Sequence, residues 1–361
     1  MIAFIADVHV ANHRRHGGPM KSGINRRCAQ VLGALEVAVG RARRRGCKGL
    51  AVLGDLFDTV NPPQQVVAEV QRILGDFPTW VLLGNHEQVS TEPGDHALGP
   101  LGPVVTVIEQ PTHLRISEEY GLFFVPFRPG PAVEWLPEVL AEWCGGDDPK
   151  FVPGPGTAIL THLGISDDST PAFLRGTHDS VPASLAKGLC DRHGFSAFFA
   201  GNWHHHKCLS ADPLIVQVGT LAPTGWDNPG VDHGQVVYWD GASYEVEQVP
   251  GPRFLKISMR DAFVAPDKEC HTYVQIEATA DEALGAQEWL ARQIDAGVVC
   301  AGEVVPKVGE VRAAARKSAI VARSADTLEE ALGAYVEEMP LEADVDRKAV
   351  LSKARQYLGG Q

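Results

Sequence analysis

Five short apolar runs in this chain end in residues that can hold metal ions. Asp7-Val8-His9 closes the first run and Gly54-Asp55-Leu56-Phe57-Asp58 the second. Gly84-Asn85-His86-Glu87 closes the third, Thr161-His162 the fourth, and Gly201-Asn202-Trp203-His204-His205-His206 the fifth. Carboxylates, imidazoles and an amide oxygen together suit Mn²⁺, Fe²⁺ or Zn²⁺ better than Ca²⁺ or Mg²⁺. Alternate residues of an extended chain face the same side, so Asp7 and His9 can reach one ion. The same alternation lets His204 and His206 converge while His205 turns away. A register that uses His205 stays open, because Asn202 and Trp203 separate the histidines from Gly201. A single histidine or DxH is more often structural than a ligand. The ordered set, each member at a strand end, is what points to a metal centre. Two ions about 3.5–4 Å apart, bridged by one carboxylate, would clamp a phosphate and activate a water.

Such residues need a scaffold that brings strand ends together. Ile2–Ala6, Gly49–Leu53 and Trp80–Leu83 read as buried strands. Ala29–Arg45 and Gln64–Gly75 carry apolar residues at helical spacing. Further strands are expected at Leu122–Val125, Ala158–Leu160, Ala197–Ala200, Ile215–Val218 and Gln235–Trp239. This alternation is that of a layered α/β domain, in which ligand sites lie at the carboxyl ends of strands. A boundary is expected at the Pro-Gly-Pro of 250–252. Beyond it, Arg253–Met259, Thr272–Ala278 and a helix at Glu282–Ala296 predict a small α+β domain. Two apolar stripes follow, one through Leu328, Leu332, Tyr335, Val336 and Met339, the other through Val350, Leu351, Ala354, Tyr357 and Leu358. Each would pack on its own domain or dock a partner.

Composition narrows the setting. The chain has 361 residues, 44% of them apolar, enough for a sizeable core. No apolar run is long enough to span a membrane. The first residues lack the features of a signal peptide. Seven cysteines, none at CxxC spacing, argue against a zinc ribbon or a disulfide framework and for a cytoplasmic protein. Net charge is −13, yet residues 1–50 hold ten Lys or Arg against two acids and so carry +8. That asymmetry can mark an electrostatic footprint for DNA, with Arg14, Arg15, Arg26 and Arg27 as candidate contacts. The Arg41–Arg45 run reads more simply as a helix C-terminus that complements its dipole.

The series DVH, GDLFD, GNHE, TH and HHH resembles the calcineurin-like metallophosphoesterase superfamily, whose pattern is DxH, GDxxD, GNH(D/E), H and GHxH. The likeness spans residues 1–240. It implies a four-layer αββα sandwich over 1–250, a smaller α+β capping domain over 253–340 and a helical tail over 341–361. It also implies that Asp7, His9, Asp55 and His206 hold one ion. Asp55, Asn85, His162 and His204 would hold the other, with Asp55 bridging. His86 would assist the leaving oxygen after attack by a hydroxide that the two ions activate. Asp58 and Glu87 look like residues that orient histidines or backbone.

Details are similar to the SbcD-type nuclease subunits of DNA double-strand-break repair. These are GDLFD before Asn61-Pro62-Pro63, the run Leu122–Arg128, Val218–Leu221 after the histidines, and the small domain at the end. That resemblance implies Mn²⁺-dependent cleavage of DNA, a homodimer, and an SbcC-type coiled-coil ATPase partner docked on the last helices. The compact length is similar to that of phage-encoded relatives. The alternative is a calcineurin-like phosphodiesterase or phosphatase acting on nucleotides or another phosphoester.

Overall fold

The computed structural model describes residues 1–154, 156–172, 174–226, 233–258, 271–307 and Lys348. Two six-stranded sheets dominate it. The first runs in the order Tyr244–Val249, Gly234–Trp239, Ile2–Ile5, Leu50–Leu53, Thr79–Leu82 and Thr106–Ile108. The second runs Lys207–Ala211, Leu214–Gln217, Ala197–Ala200, Thr157–Thr161, Gly121–Val125 and Thr112–Arg115. Their central strands are parallel. Antiparallel strands close one edge of the first sheet and both edges of the second.

Parallel strands covered on both faces should read as unbroken apolar runs, and these do: IAFI, LAVL and AFFA are buried at every position. Alternation then sorts their side chains. Ile2 and Phe4 pack between the sheets with Phe124, Leu160, Phe199 and Trp239. Ala3 and Ile5 face the other way, against the first helix layer. That layer is α1 (Arg26–Arg44) and α2 (Gln64–Leu74). On the far side, α3 (Ala132–Cys144) and α4 (Ala183–His193) cover Phe123, Ile159, Phe198 and Ile215. The result is an α/β/β/α sandwich.

The expected strands and first two helices appear within a few residues of their predicted ends. Not foreseen were α3, α4 and the edge strands. Pro137, at the sixth position of α3, argues against a helix because it lacks an N–H and crowds the preceding turn. Burial of Trp135, Leu136, Val139 and Leu140 outweighs that cost. The basic end of α1 is answered within the chain. Arg41 pairs with Glu247 at 3.0 Å, and Arg45 with Glu245 at 2.7 Å and Glu247 at 3.2 Å, on the edge strand of the first sheet.

The chain divides into two compact units, and Met1–Leu255 belongs wholly to the larger. Later strands Arg253–Ser258, Thr272–Ala278 and Ala301–Pro306 form a three-stranded sheet, and α5 spans Ala283–Asp295. Both apolar stripes beyond Leu328, and the tail expected over 341–361 except Lys348, lie outside the described residues. Among the described residues no helix is long and apolar enough to cross a membrane.

Candidate metal centre

The five ligand-bearing loops leave the carboxyl ends of Ile2–Ile5, Leu50–Leu53 and Thr79–Leu82 in one sheet and Thr157–Thr161 and Ala197–Ala200 in the other. Both sheets therefore aim their strand ends at one place. Asp7, His9 and Asp55 leave their strands in the left-handed region, with φ of 51°, 50° and 50°. Such backbone costs an L-residue roughly 1–2 kcal/mol and tends to persist where function demands it. Two glycines make room for the ligands. A Cβ on Gly54 would lie 2.2 Å from His162 Nδ1, and one on Gly84 would lie 2.2 Å from Asp55 Oδ1. No larger residue fits at either place without displacing a ligand.

The histidine tautomers follow from what the outer nitrogens touch. His162 Nδ1–H donates to the Leu53 carbonyl at 2.7 Å, which turns the Nε2 lone pair toward Asn85 Oδ1 at 2.9 Å and Asp55 Oδ2 at 3.2 Å. His9 Nδ1–H donates to Asp58 Oδ1 at 3.0 Å. His9 Nε2 then stands 3.8 Å from Asp55 Oδ2 and 3.2 Å from His204 Nε2. His204 turns its Nδ1 to the Thr224 hydroxyl at 3.2 Å. Two imidazole nitrogens pointed at each other in this way want a shared electrophile, and outer hydrogen bonds of this kind orient metal ligands.

The buried carboxylates say the same. Asp7 is fully buried; its Oδ1 accepts from the Asn202 N–H at 3.0 Å, and its Oδ2 has no hydrogen-bond partner among the described residues. Burial, with Asp55 adding to it, pushes the Asp7 carboxyl up to about 6. A carboxylate so placed is stabilised by a cation, not by solvent. Burial opposes charge on Asp55 as well, but His162, His9 and His86 around it hold its carboxyl well below the usual range. Three clusters of potential ligand atoms result: Asp7–His9–His204, Asp7–Asp55–His162 and His9–Asp58–His86. The donor set fits divalent ions in the first two.

The third cluster sets a partly exposed histidine beside a carboxylate. His86 is about two-fifths exposed, with Nδ1 3.4 Å from Asp58 Oδ1 and Nε2 3.9 Å from Asp55 Oδ2. The Asp58 hydrogen bond, against the pull of burial and with help from Asp55, raises His86 to about 9. Asp58 also faces His13 Nδ1 at 3.7 Å, so one carboxylate orients three histidines.

Glu87 does a different job. Fully buried, it accepts from the backbone N–H groups of Asp55 at 3.2 Å, Gly84 at 3.0 Å and Phe57 at 2.9 Å, tying the second and third ligand loops together. Burial and the nearby Asp55 push its carboxyl up to about 7. Glu87→Ala strands three buried donors, and we expect it to lower folding stability by about 3 kcal/mol or more. A denaturant midpoint unchanged from the parent protein would refute this tie.

The structure departs from the expected pairing at the last motif. His204 joins Asp7 and His9, the place expected for His206. His206 enters none of the three clusters among the described residues; its Nδ1–H donates to the Val218 carbonyl at 3.2 Å, and its ring lies 6.1 Å from that of Tyr244. His205 is exposed. Counting from Gly201 without an insertion gives Gly-Asn-Trp-His, with His204 as the last histidine of the GHxH pattern and Asn202 where its first would stand. Asn202 itself was not singled out from the sequence. Its backbone has φ of 74°, and its side-chain Nδ2 donates to Asp179 Oδ2 at 2.9 Å.

The candidate DNA contacts separate into two kinds. Arg14 and Arg15 are exposed on the wall of a cavity of about 420 Å³ that Asn12, His13, Asp58, Asn61 and Thr224 also line. Arg27 reaches the same cavity but is buried: its guanidinium donates to the Arg15 and Thr224 carbonyls and stacks 4.8 Å from the Phe254 ring. Arg26 donates to the Cys300 carbonyl. These two arginines tie the basic loop to its surroundings, whereas Arg14 and Arg15 are exposed, Arg15 with its guanidinium 5.7 Å from the Trp226 ring.

Comparison with known proteins places this geometry. No curated protein matches the chain. Among solved structures, a dimetal phosphatase from Danio rerio is 13% identical, covering 69% of this chain and 95% of its own, with a TM-score of 0.43. A protein from Thermus thermophilus is 16% identical over 68% of this chain and 97% of its own, with a TM-score of 0.39. A purple acid phosphatase from yellow lupin seeds is 14% identical over 57% of this chain and 38% of its own, with a TM-score of 0.36. Residues 1–207, more than half the chain, match the family described as calcineurin-like phosphoesterase. With five parallel strand ends converging on a cluster of aspartates and histidines, this chain belongs to the calcineurin-like phosphoesterases, a family that binds two divalent metal ions.

Proposed function

We propose that this protein is a metal-dependent DNA phosphodiesterase of the SbcD type, using Mn²⁺ and acting as a homodimer with an SbcC-type coiled-coil ATPase. The observation that carries this reading is the cavity walled by Arg14 and Arg15. Asp58, the residue that holds His86, also lines it, so a phosphate chain whose scissile ester lies at the metal centre would run past the exposed Arg14 and Arg15, the latter with its guanidinium 5.7 Å from the Trp226 ring. Guanidinium contacts to phosphate hold a backbone without reading sequence.

Asp7, His9, Asp55 and His204 would hold one ion, and Asp55, Asn85 and His162 the other. When bound, the ions supply Lewis acidity and an activated water. His86 stands at the exposed rim, with Asp58 fixing its ring, and delivers a proton to the departing sugar oxygen. Arg14 and Arg15 neutralise flanking phosphates. His13, pushed down to about 4 by burial and the Arg27 charge, stays neutral there and adds no charge of its own.

The first test is Mn²⁺-dependent degradation of linear duplex DNA by the purified protein, with Asp55→Ala as control. Degradation absent from the control supports a nuclease. Activity on a simple phosphodiester without any on DNA, alone or with a coiled-coil ATPase, moves the substrate to nucleotides. A second expectation concerns salt. Arg14→Ala with Arg15→Ala should weaken DNA binding uniformly across sequences and reduce the slope of log K against log salt by about 2. An unchanged slope removes these arginines from the DNA path.

A further inference from the structure

The turn that leads to His204 is fastened to a small sheet outside the two large ones. Gly164–Ser166 and Ser180–Pro182 pair in parallel, and Asp179 stands immediately before the second of them. Three contacts join this pair to the turn. The Asn202 amide nitrogen donates to Asp179 Oδ2 at 2.9 Å and to the Asp179 carbonyl at 3.3 Å. The Gln217 side chain accepts from the Ile165 N–H at 3.0 Å and donates to the Ala200 carbonyl at 3.0 Å and to the Gly201 carbonyl. Trp203 lies so close to Gly164 that a Cβ there would stand 2.2 Å from its indole.

The fastening matters because of what Asn202 does with its backbone. At a φ of 74° it gives its N–H to Asp7 Oδ1 at 3.0 Å. Asp7 is fully buried, and its other oxygen has no hydrogen-bond partner among the described residues. The bond at Oδ1 therefore sets how the carboxylate turns Oδ2. Asparagine enters the left-handed region more readily than most residues, yet it stays there only where its surroundings hold it. Here the hold is on its own side chain, and Asp179 supplies it.

We propose that Asp179 is a positioning residue for the metal centre. By gripping the Asn202 amide it keeps residue 202 left-handed and its N–H on Asp7, so that Asp7 Oδ2 stays turned to the ion that Asp7, His9 and His204 would hold. Asp179 belongs to none of the three ligand clusters and acts through Asn202. Groups that orient a ligand in this way tune how tightly it binds. The role rests on the metal centre and holds whichever phosphoester is cleaved.

Equilibrium dialysis of the full-length protein against graded Mn²⁺, with bound metal counted by atomic emission, reads the effect apart from turnover. Asp179→Ala should raise the free Mn²⁺ needed for half-saturation about tenfold, the scale on which residues behind a ligand act. Asp179→Asn, whose amide oxygen still accepts from Asn202, should restore most of that affinity. Asn202→Gly should lose less than Asn202→Ala, because glycine takes a φ of 74° freely; this pair carries the test should Asp179→Ala fail to fold. With Asn202→Gly in place, adding Asp179→Ala should cost nothing further, as two residues that act through one contact require. The parent's affinity in Asp179→Ala, equal losses in Asn202→Gly and Asn202→Ala, or an undiminished loss from Asp179→Ala in the Asn202→Gly protein would each overturn the proposal.

Discussion

Asp55→Asn will strip both ions from the protein and reduce phosphodiester turnover by about a thousandfold or more, roughly 4 kcal/mol of transition-state stabilisation. The argument is positional. Asp55 Oδ2 lies 3.2 Å from His162 Nε2 and 3.8 Å from His9 Nε2, so it stands between a histidine of each donor group. Without its charge Asp7 is the one carboxylate left among Asp7, Asp55, His9, His162 and His204. Asparagine is the instructive substitution: its amide tolerates the left-handed backbone at position 55 better than alanine does. It also keeps an acceptor for the His86 N–H. The loss can then be assigned to charge at the bridge. Metal content by atomic emission and turnover of a nitrophenyl phosphodiester measure the two effects together. A variant that retains two equivalents of metal removes Asp55 from the bridging role.

His86→Ala should behave in the opposite way, keeping its metal while losing catalysis. The hydrogen bonds that orient His9, His162 and His204 run to Asp58, the Leu53 carbonyl and Thr224, not to His86. Its ring is held by Asp58 at the open rim of the centre. Loss of a general acid costs about 10²–10⁴ in rate, and the cost depends on how badly the leaving oxygen needs a proton. A sugar alkoxide needs one; a nitrophenolate leaves readily without. The expected result is two equivalents of bound metal, at least a hundredfold loss on DNA or an alkyl phosphodiester, and a much smaller loss on a nitrophenyl ester. Equal losses on both substrates would make His86 an electrostatic stabiliser instead. Loss of metal along with activity would make it part of the ligand shell.

Much of the scaffold was legible because its signals are local. An apolar run buried on both faces must end where the sheet ends, and a polar residue directly after it must lie at the strand terminus. Asp7, Asp55, Asn85 and His162 sit at such ends, so their gathering in one place followed from the α/β rhythm and the parallel strand order. α1 and α2 declared themselves by apolar spacing. α3 did not, because Pro137 speaks against a helix and only its buried face, set by the second sheet, speaks for one.

What the chain alone could not decide depends on contacts between distant segments. Three consecutive histidines offer the same donor atoms. His204 is the one whose Nε2 meets that of His9, 195 positions earlier, while His206 turns to the Val218 carbonyl. Four arginines near the first ligand pair carry the same charge. Arg27 is withdrawn by the Thr224 carbonyl and the Phe254 ring, and Arg14 and Arg15 are left at the cavity wall. Arg41 and Arg45 find Glu247 and Glu245 across some two hundred residues. Residue type and spacing thus determined which chemistry this protein can hold. Which copy of a repeated residue performs it was decided by tertiary packing, because identical side chains differ only in the partners the fold brings to them.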